Sequence, residues 1–112
     1  MTRNYEACFL IRADLSDEDV ASEVKFIEES ISKAGGELVK TDVWGKRTLA
    51  YPIRKKSEAV YAFFYFRGAP GMIANLKEVF AVRETVLRYL FLQRKALPQA
   101  EKEAEKSDGK PE

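Results

Sequence analysis

Along the first dozen residues, Tyr5, Ala7, Phe9 and Ile11 alternate with Glu6, Cys8, Leu10 and Arg12, the period-2 pattern of a strand with one buried face. The odd positions are the expected core side. In the segment LSDEDV that follows, Ser16 can cap a helix and Asp19, three residues on, completes a capping-box pattern. Asp17 and Glu18 suit the positive end of the helix dipole. Val20, Val24, Ile27, Ile31 and Ala34 then recur at spacings of 4, 3, 4 and 3, which marks one stripe of a helix facing a core. Gly35-Gly36 supplies the left-handed residue that stops it.

A second strand is predicted from Glu37 to Ala50, irregular at Gly45, because glycine within a strand marks a bulge or a close backbone approach. Pro52 lacks a backbone donor and points to the strand edge or the turn beyond it. Ser57-Glu58 is placed in the loop before a third strand, Val60 to Arg67, so that a long hairpin carries a basic loop. In the third strand, buried tyrosines would need hydroxyl partners and phenylalanines would not. Ala62, Phe64 and Phe66 are therefore assigned to the helix-covered face and Tyr61, Phe63 and Tyr65 to the other.

Pro70 precedes a second helix with Met72, Ile73, Leu76, Val79 and Phe80 on its apolar side, and Val86 to Lys95 is rich in strand formers. The order β-α-β-β-α-β predicts an α+β, ferredoxin-like fold: a four-stranded antiparallel sheet with two helices on one face. Residues 1–95 make this domain, and 96–112, rich in Pro, Glu and Lys without periodicity, read as a flexible charged tail.

Composition narrows the chemistry. There is no histidine and one cysteine, which removes the commonest general base and any internal disulfide or Cys/His zinc set. No cofactor or metal is expected, and Cys8 reads as a small strand residue. The apolar run Val60–Phe66 is far short of the ~20 residues of a spanning helix, and the N-terminal stretch lacks a targeting pattern, so an untargeted cytoplasmic protein is expected. An acylphosphatase-like enzyme would need a glycine-rich anion loop after the first strand, whereas ADLSDEDV is acidic and glycine-free. Asp17, Glu18 and Asp19 are explained by helix capping, and no glycine-rich ligand turn suggests a small-molecule module.

Net charge is +1 overall, but residues 40–56 carry Lys40, Lys46, Arg47, Arg54, Lys55 and Lys56 against Asp42 alone, a local +5. Several separated cations on one hairpin, with Arg3 and Arg88 on the first and last strands, suit phosphate contact. The segment AVYAFFYF partly matches the aromatic strand of RNA-recognition motifs, with Tyr61 and Phe63 at the stacking places. Ala59 and Val60 stand where that signature has a basic residue and glycine, so an ordinary hydrophobic strand explains most of it. A free-standing single-strand RNA-binding module is the alternative reading.

RNYE near the start, VWGKRTLAYPIRKK across the second strand and its turn, and VLRYLFLQR at the end closely resemble the bacterial small-subunit ribosomal protein six family, over about residues 1–95. The resemblance implies a structural protein of the small ribosomal subunit, not an enzyme. It implies binding to the central domain of small-subunit rRNA as a pair with small-subunit ribosomal protein eighteen. It assigns Arg3, Tyr5, Lys46, Arg47, Tyr51, Lys55, Lys56 and Arg88 to the RNA, the cations neutralising phosphates. Trp44, Tyr61, Phe63 and Tyr65 are expected at the partner protein. Trp44 and Tyr51 either stack on a nucleotide or anchor the hairpin, with packing favoured for Trp44.

Overall fold

The structure, a computed structural model, describes residues 2–96. The tail expected from residue 96 onward lies, beyond Ala96, outside the described residues. Six elements follow one another: β1 (Arg3–Arg12), α1 (Asp17–Lys33), β2 (Glu37–Ile53), β3 (Lys56–Gly68), α2 (Met72–Ala81) and β4 (Val86–Arg94). The strands form one sheet in the order β2-β3-β1-β4, with every neighbour antiparallel. This is the predicted ferredoxin-like βαββαβ arrangement.

The central pair is β1 with β3, and its register sorts the side chains. Tyr5 lies opposite Phe66, Ala7 opposite Phe64, Phe9 opposite Ala62 and Ile11 opposite Val60. These residues face α1 and α2 and form the main core with Ile27, Ile31, Met72, Leu76, Phe80 and Val86. Phe9 meets Phe64 and Phe80 edge-on at centroid distances of 5.4 and 4.7 Å, the geometry the ring quadrupoles favour. Burying each such ring contributes about 2–3 kcal/mol.

Both ends of α1 are closed as the sequence predicts. The Ser16 hydroxyl oxygen accepts the Asp19 backbone N–H at 3.1 Å. At the other end the N–H groups of Gly35 and Gly36 reach the Ser32 and Ile31 carbonyls at 3.0 and 2.9 Å, a Schellman closure with Gly35 at φ 97°. Between them the helix buries Glu23, and Arg83 grips its carboxylate with two bonds of 2.8 Å. The same guanidinium lies 3.8 Å from the centre of the Phe26 ring. Burial alone would raise the Glu23 pKa, but the bonds and charge of Arg83 outweigh it and hold the group below its ordinary value.

Three local expectations change. β2 runs on to Ile53, past Ala50 and through Pro52, and β3 starts at Lys56, so Ser57-Glu58 belong to a strand. The reversal is made by Arg54 and Lys55 alone, both at positive φ, and neither is a residue type that signals such a turn. Val79, expected on the buried side of α2, is 37% exposed, because Met72, Leu76 and Phe80 already fill that contact.

Gly45 sits at φ 90° where the β2–β3 register shifts, and a side chain added there would meet nothing within 4 Å. Replacing it therefore strains the backbone without a clash. Gly45→Val is expected to lower stability by about 1–2 kcal/mol, measured by urea unfolding. For the Glu23–Arg83 pair, a depressed folded pKa means stability that is present above the unfolded value of about 4.3 and is lost as pH falls through the folded value. Unfolding midpoints between pH 7 and 3 are expected to drop more steeply for the wild type than for Glu23→Gln. Glu23→Gln is also expected to cost about 2 kcal/mol at neutral pH by weakening the pair.

Candidate nucleic-acid and partner interface

The face of the sheet away from the helices is built by the even positions of β1 and their partners. Cys8 lies opposite Phe63 and Leu90, and Leu10 opposite Tyr61 and Arg88. Leu10, Ala59 and Leu87 form a second, smaller buried cluster, with Leu49, Ile53, Cys8 and Tyr61 packed against it. Burial, then the nearby Glu6 carboxylate, push the Cys8 thiol up to about 11, as suits a packing residue.

Leu49 and Ile53 belong to the far end of the β2–β3 hairpin, yet they pack beside Leu10 of β1 and Leu87 of β4. The hairpin end therefore bends over this face, which the register slip between Thr48 and Ile53 permits. It carries Tyr51 to the opposite side of the sheet, where Arg88 Nη1 donates to the Tyr51 hydroxyl at 3.4 Å. Tyr51 remains 61% exposed. A contact between residues 37 apart thus places one expected aromatic beside one expected cation.

On the sequence the basic residues look like one cluster, but the structure divides them. Lys46, Lys55 and Lys56 line a cleft of about 390 Å³ together with Ala13, Asp14, Ser57 and Glu58. Lys56 Nζ stands 3.6 Å from Asp14, and Arg12 pairs with the same carboxylate at 2.8 Å. The Arg12 bond, with the Lys56 charge adding to it, holds Asp14 down at about 2. Arg47 turns elsewhere: its guanidinium lies 5.8 Å from the centre of the Trp44 ring, and its Nη1 donates to the Lys46 carbonyl.

Arg3 stands apart from all of these. Its neighbour Asn4 pairs with Arg94, at the opposite end of β4 from Arg88, and its Nη1 donates to Gln93 at 3.2 Å. The strand pairing of β1 and β4 is as expected, but Arg3 and Arg88 project from opposite faces and opposite ends, since Arg3 is an odd position of β1 and Arg88 pairs with the even position Leu10. They do not share one surface.

Two aromatics expected at an interface are buried within the chain. Tyr5, expected at the RNA, is 6% exposed and stacks on Phe66 at 5.5 Å in the main core, because its odd position on β1 faces the helices. Tyr65, expected at the partner, points to the other face but is 4% exposed. The Arg94 guanidinium lies 6.0 Å from its ring centre, held there by a 2.7 Å pair with Glu6.

Trp44, Tyr61 and Phe63 do come together. The Trp44 ring is 4.7 Å from Phe63 and 6.3 Å from Tyr61, and its Nε1–H donates to Asp42 at 3.1 Å. Half-buried, Trp44 packs across the two strands of the hairpin. Sequence reasoning missed Leu90 and Leu92, 55% and 47% exposed on edge strand β4. Their alternation within VLRYLFLQR was the available signal, with Tyr89 and Phe91 taking the helix side.

Among the described residues no group of acidic, Cys or His side chains is placed to hold a metal ion, and no helix is long and apolar enough to cross a membrane. The sequence of residues 4–93 matches the family model for ribosomal protein S6. The chain is 37% identical over 91 residues to small ribosomal subunit protein bS6 of Caldanaerobacter subterraneus subsp. tengcongensis, covering 81% of this chain and 96% of that one. It is 38% identical over 88 residues to the bS6 of Moorella thermoacetica, covering 79% and 90%. The crystal structure of 30S ribosomal protein S6 from Thermotoga maritima superposes with a TM-score of 0.81 at 25% identity, covering 98% of this chain and 97% of that one. Sequence and backbone path thus agree along nearly the whole described chain, which belongs to the ribosomal protein S6 family of the small ribosomal subunit.

Proposed function

We propose that this structural protein of the small ribosomal subunit binds the central domain of small-subunit rRNA as a pair with small-subunit ribosomal protein eighteen. The observation that carries the reading is the bent hairpin end, which gathers Lys46, Lys55 and Lys56 at one cleft and sets exposed Tyr51 against Arg88. Cations spaced around a projecting edge can follow a phosphate backbone, and each contact releases counterions. Arg47 and Arg88 add charge on the sheet side, and Arg3 supplies a separate contact at the other end of β1.

The partner side follows from the apolar surface. Leu90 and Leu92 present exposed apolar area on an edge strand, on the same face of the sheet as Tyr61 and Phe63 but across β1 from them, and exposed apolar area of this kind suits a protein contact. Residues 1–95 carry only +3, a modest charge for binding RNA unaided, which favours affinity supplied jointly with a basic partner. The free-standing single-strand module is less well supported. Trp44 already occupies the space over Phe63 where a base would stack.

Binding of the full chain to a central-domain rRNA fragment is expected to be weak alone and at least tenfold tighter with protein eighteen, with affinity falling steeply between about 50 and 200 mM salt. Equal affinity with and without the partner would contradict the paired reading. Partner-independent binding to short single strands would favour the alternative. Tyr51→Ala is expected to weaken binding by the pair roughly fivefold or more, the scale of one stacked base, while Tyr51→Phe preserves it. Both variants should melt within a few degrees of wild type, because the side chain is exposed and its one hydrogen bond is long.

A further inference from the structure

The two residues that reverse the chain between β2 and β3 are the least expected feature of the hairpin. Ile53 pairs with Lys56, so the connection is a two-residue turn. Arg54 has φ 52° and Lys55 φ 66°. Consecutive left-handed residues are the signature of a type I′ turn, where Asn-Gly is strongly preferred because Cβ crowds the following carbonyl, a clash that glycine lacks and that asparagine offsets by local hydrogen bonding. The other turn with a left-handed residue, after α1, uses glycine for that position. Here two of the bulkiest cationic residues stand in its place.

Strain of this kind persists where the surroundings hold it. On one side Leu49 and Ile53 are packed on Leu10, Ala59 and Leu87. On the other, Lys56 is tied to Asp14, which Arg12 holds in turn. The strand ends are fixed on both flanks, so the turn must close in two residues. Both side chains are exposed, and among the described residues neither Arg54 nor Lys55 makes an ion pair, whereas the charge of Lys56 is partly answered by Asp14. A solubilising role would not require a left-handed position, since exposed sites are abundant.

We infer that Arg54 and Lys55 form a phosphate-contacting tip, in which a strained turn is retained for the two positive charges it projects toward the RNA backbone. Arg54 thereby joins the RNA-facing residues, from which the family resemblance omitted it. The inference rests on the RNA-binding reading above. It assigns to the tip a role separate from the Tyr51–Arg88 contact, and it explains why the residues that would best make the turn are absent.

Two double variants of the full chain separate strain from charge. Arg54→Asn with Lys55→Gly relieves the turn and removes both charges, while Arg54→Gln with Lys55→Gln removes the charges and keeps the side-chain bulk. The first is expected to melt about 2–5 °C higher than wild type and the second close to it. With the central-domain fragment and protein eighteen, both should bind roughly tenfold more weakly near 100 mM salt. The slope of log affinity against log salt should be reduced by about 1–2 in each. If wild type binds the fragment and both variants match its affinity and slope, the tip inference falls while the RNA-binding reading stands. An Asn-Gly variant that melts no higher than the double-Gln variant would overturn the retained strain. Wild type that fails to bind would overturn the functional reading and the tip together.

Discussion

The antiparallel register of β1 on β3 governs where every core ring and every outward side chain of the central strands falls. Side chains alternate between faces along a strand, so a shift of one residue would move every core ring to the opposite side. With Phe9 opposite Ala62 and Ala7 opposite Phe64, large and small residues interleave under the helices, and Phe9 has room to meet Phe64 and Phe80 edge-on. The same register sends Leu10, Ala59 and Tyr61 to the other face, where they help form the floor on which the hairpin end rests. Core and interface are thus two consequences of one pairing.

That floor determines how charge is displayed. A straight β2–β3 hairpin would carry its basic residues away from β4. Because Leu49 and Ile53 bury themselves against Leu10 and Leu87, the strand pair bends, Tyr51 reaches Arg88, and the lysines of the turn region border a cleft beside Asp14. Hydrophobic burial, which has no directional preference of its own, therefore positions the groups that would meet phosphate. Its cost is concentrated at Arg54 and Lys55, whose backbone takes a conformation their side chains disfavour.

Elsewhere the elements are tied together by electrostatics within the fold itself. Glu23 is buried against Arg83, which also covers Phe26, so the connection from α2 to β4 is tied to α1. Glu6 and Arg94 form a comparable link across β1 and β4 and close over Tyr65. These arginines are engaged in ion pairs within the fold, although in the sequence they are indistinguishable from Arg54, which makes none among the described residues. A count of positive residues therefore overstates the surface available to a polyanion.

Local periodicity was enough to read the six elements, both closures of α1 and the division of β3 into Ala62, Phe64 and Phe66 on one side and the tyrosines on the other. These depend on the spacing of neighbours along the chain, which the sequence carries explicitly. The segment WGKRTLAYPI identified the family for the same reason, as a contiguous run. Tyr5 and Tyr65 could not be placed as buried from their own surroundings, since the Phe66 and Arg94 that cover them lie 61 and 29 positions away. The separation of Arg3 from Arg88, the Tyr51–Arg88 contact and the two-residue turn likewise depend on strand pairing and on the bend of a hairpin over a distant apolar cluster. Which residues are apolar, cationic or turn-stopping is written along the chain. Which of them meet is a property of the folded molecule, because packing between remote segments sets the faces and ends at which side chains emerge.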